Sequence, residues 1–407
     1  MIDTGTTTFM ILSTSLVMLM TPGLAFFYGG LASKRNILGI MMQTFVSLGI
    51  TTILWISFGY SLCFSGGHGA IIGNFDAAFL KDIPFNHMFA GGGNQYPTFI
   101  FIAYQMMFAI ITPTLITGAF INRITFKGYL IFLVLWQIFV YYPFVHMVWG
   151  GGLLATWGVL DFAGGIVVHA IAGFAALASV IYVGKRIDTK SVPNSIPLVA
   201  IGTALLWFGW YGFNAGSELR VDSVTTLAFL NTDVAASFAA ITWLIIEWSR
   251  EKKPKFVGLM TGAVAGLATI TPAAGYVPLW AAIIIGILAG SVSFFAVQLK
   301  NKRGWDDALD VWGVHGMGGV LGTILLGVFA TTAVNPRGAN GLFFGGGAFF
   351  MKELIAVVLA AAYAFLFTLL MLKLINFITP VKVDREIELV GIDEGELGEK
   401  AYDEGAL

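Results

Sequence analysis

Asp161-Phe162-Ala163-Gly164-Gly165-Ile166-Val167-Val168-His169-Ala170-Ile171-Ala172-Gly173 opens an apolar segment that continues to about residue 184. About 20 such residues cross the hydrocarbon core of a bilayer as a helix. An ionisable side chain within a span is costly, so His169 reads as functional. A second stretch answers it: Val314-His315-Gly316-Met317-Gly318-Gly319 again has valine before the histidine and glycine four residues after it. Asp310 precedes it as Asp161 precedes the first. A lone histidine on an apolar face is usually a satisfied core residue. Two at matching positions favour a lining role.

Working outward, the whole chain has the same character. Of its 407 residues 57% are apolar and 11% charged, with a mean hydropathy of +0.84. A soluble domain carries about 25% charged residues. The net charge of −1 creates no field that points to nucleic acid, and the single cysteine, Cys63, excludes a disulfide framework. Eleven candidate spans lie near 7–32, 37–63, 97–121, 127–148, 163–184, 196–216, 223–248, 256–271, 277–299, 311–331 and 349–378. The opening Met1-Ile2-Asp3-Thr4 lacks a basic region, so the first span is expected to be retained. With the N-terminus outside, the inside loops hold fourteen cations: Lys34, Arg35, Arg123, Lys127, Lys185, Arg186, Lys190, Arg250, Lys252, Lys253, Lys255, Lys300, Lys302 and Arg303. The outside loops hold three, Lys81, Arg220 and Arg337. That bias predicts an outer N-terminus and a cytoplasmic C-terminus. Five spans separate the two histidine segments, so the halves run in opposite directions. Such inverted repeats place a site at the midplane between them.

The reading is therefore an all-α polytopic membrane protein: 11 transmembrane helices, two inverted five-helix repeats and a long eleventh helix. The membrane domain covers 1–380, with repeats at 1–190 and 191–335 and helix eleven at 347–380. The tail, 381–407, carries nine acidic and three basic residues and is either a flexible strip or a docking segment.

A histidine pair can share one proton between ring nitrogens and present one donor or acceptor each to a lumen. That suits a small molecule that both donates and accepts hydrogen bonds. A bare cation would pay heavily for desolvation there. Aromatics beside glycine runs supply a second element: Trp149 in His146-Met147-Val148-Trp149-Gly150-Gly151-Gly152, Phe108 after Tyr104-Gln105-Met106-Met107, and Phe213 in Trp210-Tyr211-Gly212-Phe213-Asn214-Ala215-Gly216-Ser217. A ring face attracts a cation by about 0.5–2 kcal/mol without a fixed countercharge. For any single aromatic, an interfacial belt or apolar packing is the ordinary explanation. Neither a P-loop, H-E-x-x-H nor G-x-S-x-G is present, and no metal or cofactor is expected.

Together with Pro22-Gly23-Leu24-Ala25-Phe26-Phe27-Tyr28-Gly29-Gly30 and Thr271-Pro272-Ala273-Ala274-Gly275-Tyr276, these stretches resemble the ammonium transporter (Amt/Rh) family, on its bacterial and archaeal Amt side. The resemblance runs through nearly the whole chain in family order. It implies a homotrimer in the cell membrane with one pore per subunit, conducting ammonium or ammonia. Trp149, Tyr104 and Ser217 would form an outer recruitment site, with Asp161 a buried carboxylate beside it that holds backbone geometry. Phe108 and Phe213 would stack as a gate, and His169 and His315 would be the twin pair in the pore. Tyr104 stands where the family usually has Phe, and the ring is kept. Asp233 is unusual for a span and is expected either at a trimer interface or solvated in a crevice. The tail follows the family's regulatory pattern, with Leu397 in place of the usual His, so a PII-type signalling protein is a candidate cytoplasmic partner. The alternative within the same fold is an ammonium sensor that conducts weakly or not at all, with a signalling domain beyond Leu407.

Overall fold

The computed structural model describes residues 2–66, 69–91, 94–189 and 192–402; Lys190 and the last five residues of the tail lie outside them. The apolar helices are α1 Thr4–Leu31, α2 Ile37–Phe64, α3 Thr98–Thr117, α4 Phe126–Trp157, α5 Gly165–Val183, α6 Ile196–Glu218, α7 Ser223–Glu251, α8 Phe256–Ile270, α9 Leu279–Arg303, α10 Trp312–Phe329 and α11 Gly347–Ile378. Among the described residues, ten of these are long and apolar enough to cross a membrane. The exception is α8, an apolar helix of 15 residues that the expected segment 256–271 matches in position.

Starts and stops follow local chemistry. The Asp3 carboxylate accepts from Thr6 N at 2.6 Å at the start of α1. Asp222 and Thr225 form a reciprocal capping box at the start of α7. Gly304, in the left-handed region, ends α9. One departure from an all-α chain is a short antiparallel hairpin, β1 Met88–Gly91 with β2 Asn94–Pro97, in the connection before α3. Asp3 N donates to Gln95 O at 2.9 Å, so the hairpin is tied to the chain's start by a contact too distant in sequence to read.

Small residues are inside and large apolar ones outside. The α1–α6 seam is tight enough that a Cβ on Gly30 would stand 2.7 Å from Val199 N, and one on Gly202 would stand 2.2 Å from Phe27 N. Meanwhile Ile53, Phe208, Ile245, Leu366 and Phe377 are exposed. Hydrocarbon solvates such side chains, so helix association in lipid rests on close backbone packing. The chain is thus a helical multi-pass membrane protein.

The described part of the tail, to Tyr402, packs back on the helices of its own chain. It forms α12 Arg385–Val390 and α13 Ile392–Gly395. Thr125 N donates to Val381 O at 2.9 Å, and Val383 N donates to Arg123 O at 3.0 Å. Asp393 accepts from Ile37 N at 3.0 Å and Gly39 N at 2.8 Å, occupying the open amides at the start of α2.

Candidate functional site

Two helices with the same local construction build the centre. The first turn of α5, Gly165–Ala170, is a π-turn, and so is Trp312–Gly316 at the start of α10; each carries its histidine. Such turns are rare and cluster at functional sites. A buried carboxylate caps each. Asp161 accepts from the amides of Gly164 and Gly165 at 2.7 Å, Ile166 at 2.8 Å and Val167 at 3.1 Å. Burial pushes its carboxyl above the ordinary range, and the four amides pull it back. Gly164 makes this wrap with φ of 120°, where a side chain is strained.

The counterpart in the second half is Asp307, which accepts from Val311 N at 3.1 Å and Trp312 N at 2.7 Å. It lies eight residues before His315, as Asp161 lies eight before His169. Asp310, paired with Asp161 from the sequence, is corrected: its carboxylate instead meets Lys300 Nζ at 2.6 Å. Two aspartates three residues apart left the pairing ambiguous, and only the capping geometry separates them.

Glycine brings the two helices together. A Cβ on Gly173 would stand 2.1 Å from Gly316 Cα, and one on Gly319 would stand 2.5 Å from Ala170 N. The contact is reciprocal: each glycine four residues after a histidine meets the residue that directly follows the other histidine. His169 and His315 therefore face each other with Nδ1 atoms 3.3 Å apart, and their rings lie within 19° of parallel. Both are buried. If one ring donates Nδ1–H to the other's Nδ1, the first keeps a bare Nε2 and the second carries Nε2–H. The pair then presents one acceptor and one donor. Among the described residues, His169 Nε2 has no hydrogen-bond partner.

The space beside the pair is a cavity of about 10 Å³, lined by both histidines, Phe213, Trp210, Phe27 and other apolar side chains, with no acid in its wall among the described residues. That is room for about one water-sized species. Trp210 stacks on His169 with centroids 5.5 Å apart, and its indole donates to Thr271 Oγ1 at 2.9 Å.

Phe213 and Phe108 stack at 4.2 Å and 28° on one side of the histidines. Beyond them Trp149 meets Phe108 edge-on at 5.9 Å. The Trp149 indole donates to Asp161 O at 2.8 Å, so the segment that caps α5 also orients this ring. Trp149, Ser217 and Asp161 line a second cavity of about 430 Å³. Tyr104 does not line it. Its ring is fully buried, and its hydroxyl lies 2.8 Å from Gly212 O, 2.9 Å from Phe213 O and 3.2 Å from Ser217 Oγ. Ser217 itself donates to Phe213 O at 2.8 Å, which leaves its lone pairs to accept. The hydroxyl that distinguishes Tyr104 from Phe therefore reaches the cavity only through Ser217.

Several residues of the site escaped sequence reasoning. Phe101, Gln105 and Tyr276 line this larger cavity as well, as do Glu218 and Arg337. Glu218 is adjacent to Ser217 and was the available signal. Arg337, 119 residues away, reads as an ordinary outer-loop cation until its ion pair with Glu218 is seen. Asp233 accepts from Trp207 Nε1 at 3.1 Å and Tyr211 Oη at 2.7 Å, and lies away from the histidine cavity on the α6–α7 face.

Comparison with known proteins gives a consistent result. Residues 8–402 match the model of the Ammonium Transporter Family. The chain is 45% identical over 400 residues to an "Ammonium transporter" of Bacillus subtilis, covering 98% of each. It is 42% identical over 401 residues to "Ammonium transporter Amt1" of Archaeoglobus fulgidus, covering 98% of this chain and 99% of that one. In structure it is similar to Candida albicans Mep2, with a TM-score of 0.87 at 33% identity over 95% of this chain and 87% of that chain. It is also similar to a "Sensor Amt Protein", with a TM-score of 0.86 at 29% identity, covering 96% and 98%.

Proposed function

This chain belongs to the ammonium transporter family, and from that premise we propose that it recruits ammonium at the outer cavity, deprotonates it and conducts ammonia past the histidine pair. The observation that carries the reading is the row Trp149, Phe108–Phe213, His169–His315. It joins a polar cavity of about 430 Å³ to an apolar one of about 10 Å³ through a stacked aromatic pair. In the outer cavity the Trp149 ring face and Ser217 Oγ give a cation attraction and one acceptor. Tyr104 supports this site by holding Ser217 and the last carbonyls of α6. Asp161 acts through backbone amides and the Trp149 indole. Phe108 and Phe213 form the gate. Beneath it, a bare cation meets no carboxylate and would lose its hydration without replacement. Ammonia donates and accepts, which matches the bare Nε2 and the Nε2–H of a proton-sharing pair. The proton left behind is released outside or relayed separately.

The same premise carries the architecture. We infer eleven spans, with α8 as the short eighth, an outer N-terminus and a cytoplasmic tail. The repeats run over 1–190 and 191–335, with helix eleven at 347–380 outside the symmetry. The matched Asp161–His169 and Asp307–His315 spacings and the reciprocal glycine contacts support the inverted relationship. The chain assembles as a homotrimer. A PII-family signalling protein would bind at the cytoplasmic face, near the docked tail of 381–407.

The test is flux. Purified protein in liposomes gives an ammonium-dependent current or pH change, and replacing both His169 and His315 by apolar residues changes rate or selectivity. Absence of any flux from folded protein rejects the transport reading. The likeness to a "Sensor Amt Protein" favours one alternative, binding without conduction. Saturable ammonium binding in the absence of flux selects it.

A further inference from the structure

At the outer end of α6 an alternating chain of four charges, Arg337, Glu218, Arg220 and Asp222, reaches the wall of the outer cavity through its first two members. Arg337 pairs with Glu218. Glu218 Oε1 also accepts from Arg220 Nε at 2.9 Å, and Arg220 Nε lies 2.6 Å from Asp222 Oδ2. The Glu218 side chain is 2% exposed and that of Arg337 46%. Both residues line the cavity that holds Trp149 and Ser217.

We propose that the Arg337–Glu218 pair sets the cation affinity of the outer cavity: Glu218 is the carboxylate that draws a monovalent cation toward Trp149, and Arg337 sets how much of that attraction is felt. The proposal rests on the transport reading above.

The physical basis is the position and balance of the charges. The four groups sum to zero, so the intact chain adds little net field. Glu218 is fixed by burial at the cavity wall, while the partly exposed guanidinium of Arg337 covers it. Removing Arg337 leaves the carboxylate in excess over its remaining partner Arg220, which Asp222 shares. Removing Glu218 leaves two guanidiniums against one carboxylate. A cation at Trp149 therefore experiences opposite changes in potential from the two substitutions. Salt would screen this effect, since the cavity opens to solvent. A purely structural role for the pair would instead make both substitutions harmful in the same direction.

The experiment measures the ammonium concentration giving half-maximal response in proteoliposomes, for wild type, Arg337→Gln, Glu218→Gln and the double variant, at low and high ionic strength. Arg337→Gln lowers it by about three- to tenfold at low salt, and Glu218→Gln raises it by a similar factor. The double variant returns close to wild type, and the shifts shrink at high salt. Shifts of the same sign, or no shift at low salt, overturn the proposal while leaving transport intact. Absence of response in wild type overturns both readings. If Glu218→Gln does not fold, Arg337→Gln decides: an unchanged or raised half-saturation refutes the proposal.

Discussion

Gly173 and Gly316 meet backbone to backbone where α5 crosses α10, with no room for a side chain between them: a Cβ on Gly173 would stand 2.1 Å from both Cα and N of Gly316. The 3.3 Å separation of His169 and His315 depends on that approach, because each histidine lies within four residues of the crossing. The polar pair thus owes its geometry to two residues with no chemistry of their own.

Substitution at this crossing should act on both stability and the pair. Gly173→Ala forces the helices apart and costs about 1–3 kcal/mol, as overpacking of a filled core does. Gly173→Leu should prevent assembly of the folded protein. Thermal unfolding of detergent-solubilised protein, read with flux, checks this. A Gly173→Leu variant of unchanged stability contradicts the contact.

Trp149 is held by a hydrogen bond from its indole to Asp161 O at 2.8 Å. Trp149→Leu removes both the ring face and this tether. The loss of about 1–2 kcal/mol of cation attraction should raise the half-saturating ammonium concentration by about five- to thirtyfold. Trp149→Phe keeps a ring, without the tether, and should fall between the two. Concentration dependence of the ammonium-evoked current separates the three.

Phe213 separates the larger cavity, beside Trp149, from the histidine pair and is 1% exposed. Phe213→Ala removes one half of the 4.2 Å stack. It should cost about 3–5 kcal/mol of stability and enlarge the passage above His169. Flux of the larger methylammonium relative to ammonium should rise. An unchanged ratio would mean that the aromatic pair does not limit passage.

Asp306 provides a pH dependence outside the spans. Burial alone would raise its carboxyl, but hydrogen bonding and charge from Arg186, with the Arg123 guanidinium, hold it below the ordinary range. Arg186 Nη2 lies 2.6 Å from Asp306 Oδ1. A carboxylate depressed in the folded state binds protons more weakly there than when unfolded. Its stabilisation is present above about pH 4 and is lost as pH falls through the depressed value. Asp306→Asn should therefore reduce thermal stability at neutral pH and flatten its decline below about pH 4. Unfolding temperatures from neutral pH down to about pH 3 test the sign.

The long apolar helices were legible along the chain, because lipid imposes such runs whatever the tertiary contacts. The histidines were legible for the same reason: a polar group in such a run stands out. Trp149, Phe108 and Phe213 stood out as aromatics beside glycine runs, while the roles given to them, to Ser217 and to Asp161 came from motif resemblance, which also marked Tyr104 as a departure. Its consequence was hidden, because the destination of its hydroxyl on α6 is 108 residues away.

The sequence by itself determined that this is a multi-pass membrane protein of the ammonium transporter family with histidines at matching positions of two apolar segments. Only tertiary structure decided that Asp307, and not Asp310, matches Asp161, that the tail docks on the start of α2, and that Glu218 and Arg337 meet in one cavity wall. The physical reason is common to all three. Hydropathy and loop charge act on each segment separately, whereas capping partners, docking contacts and ion pairs depend on which distant segments the glycine-lined helix crossings bring together.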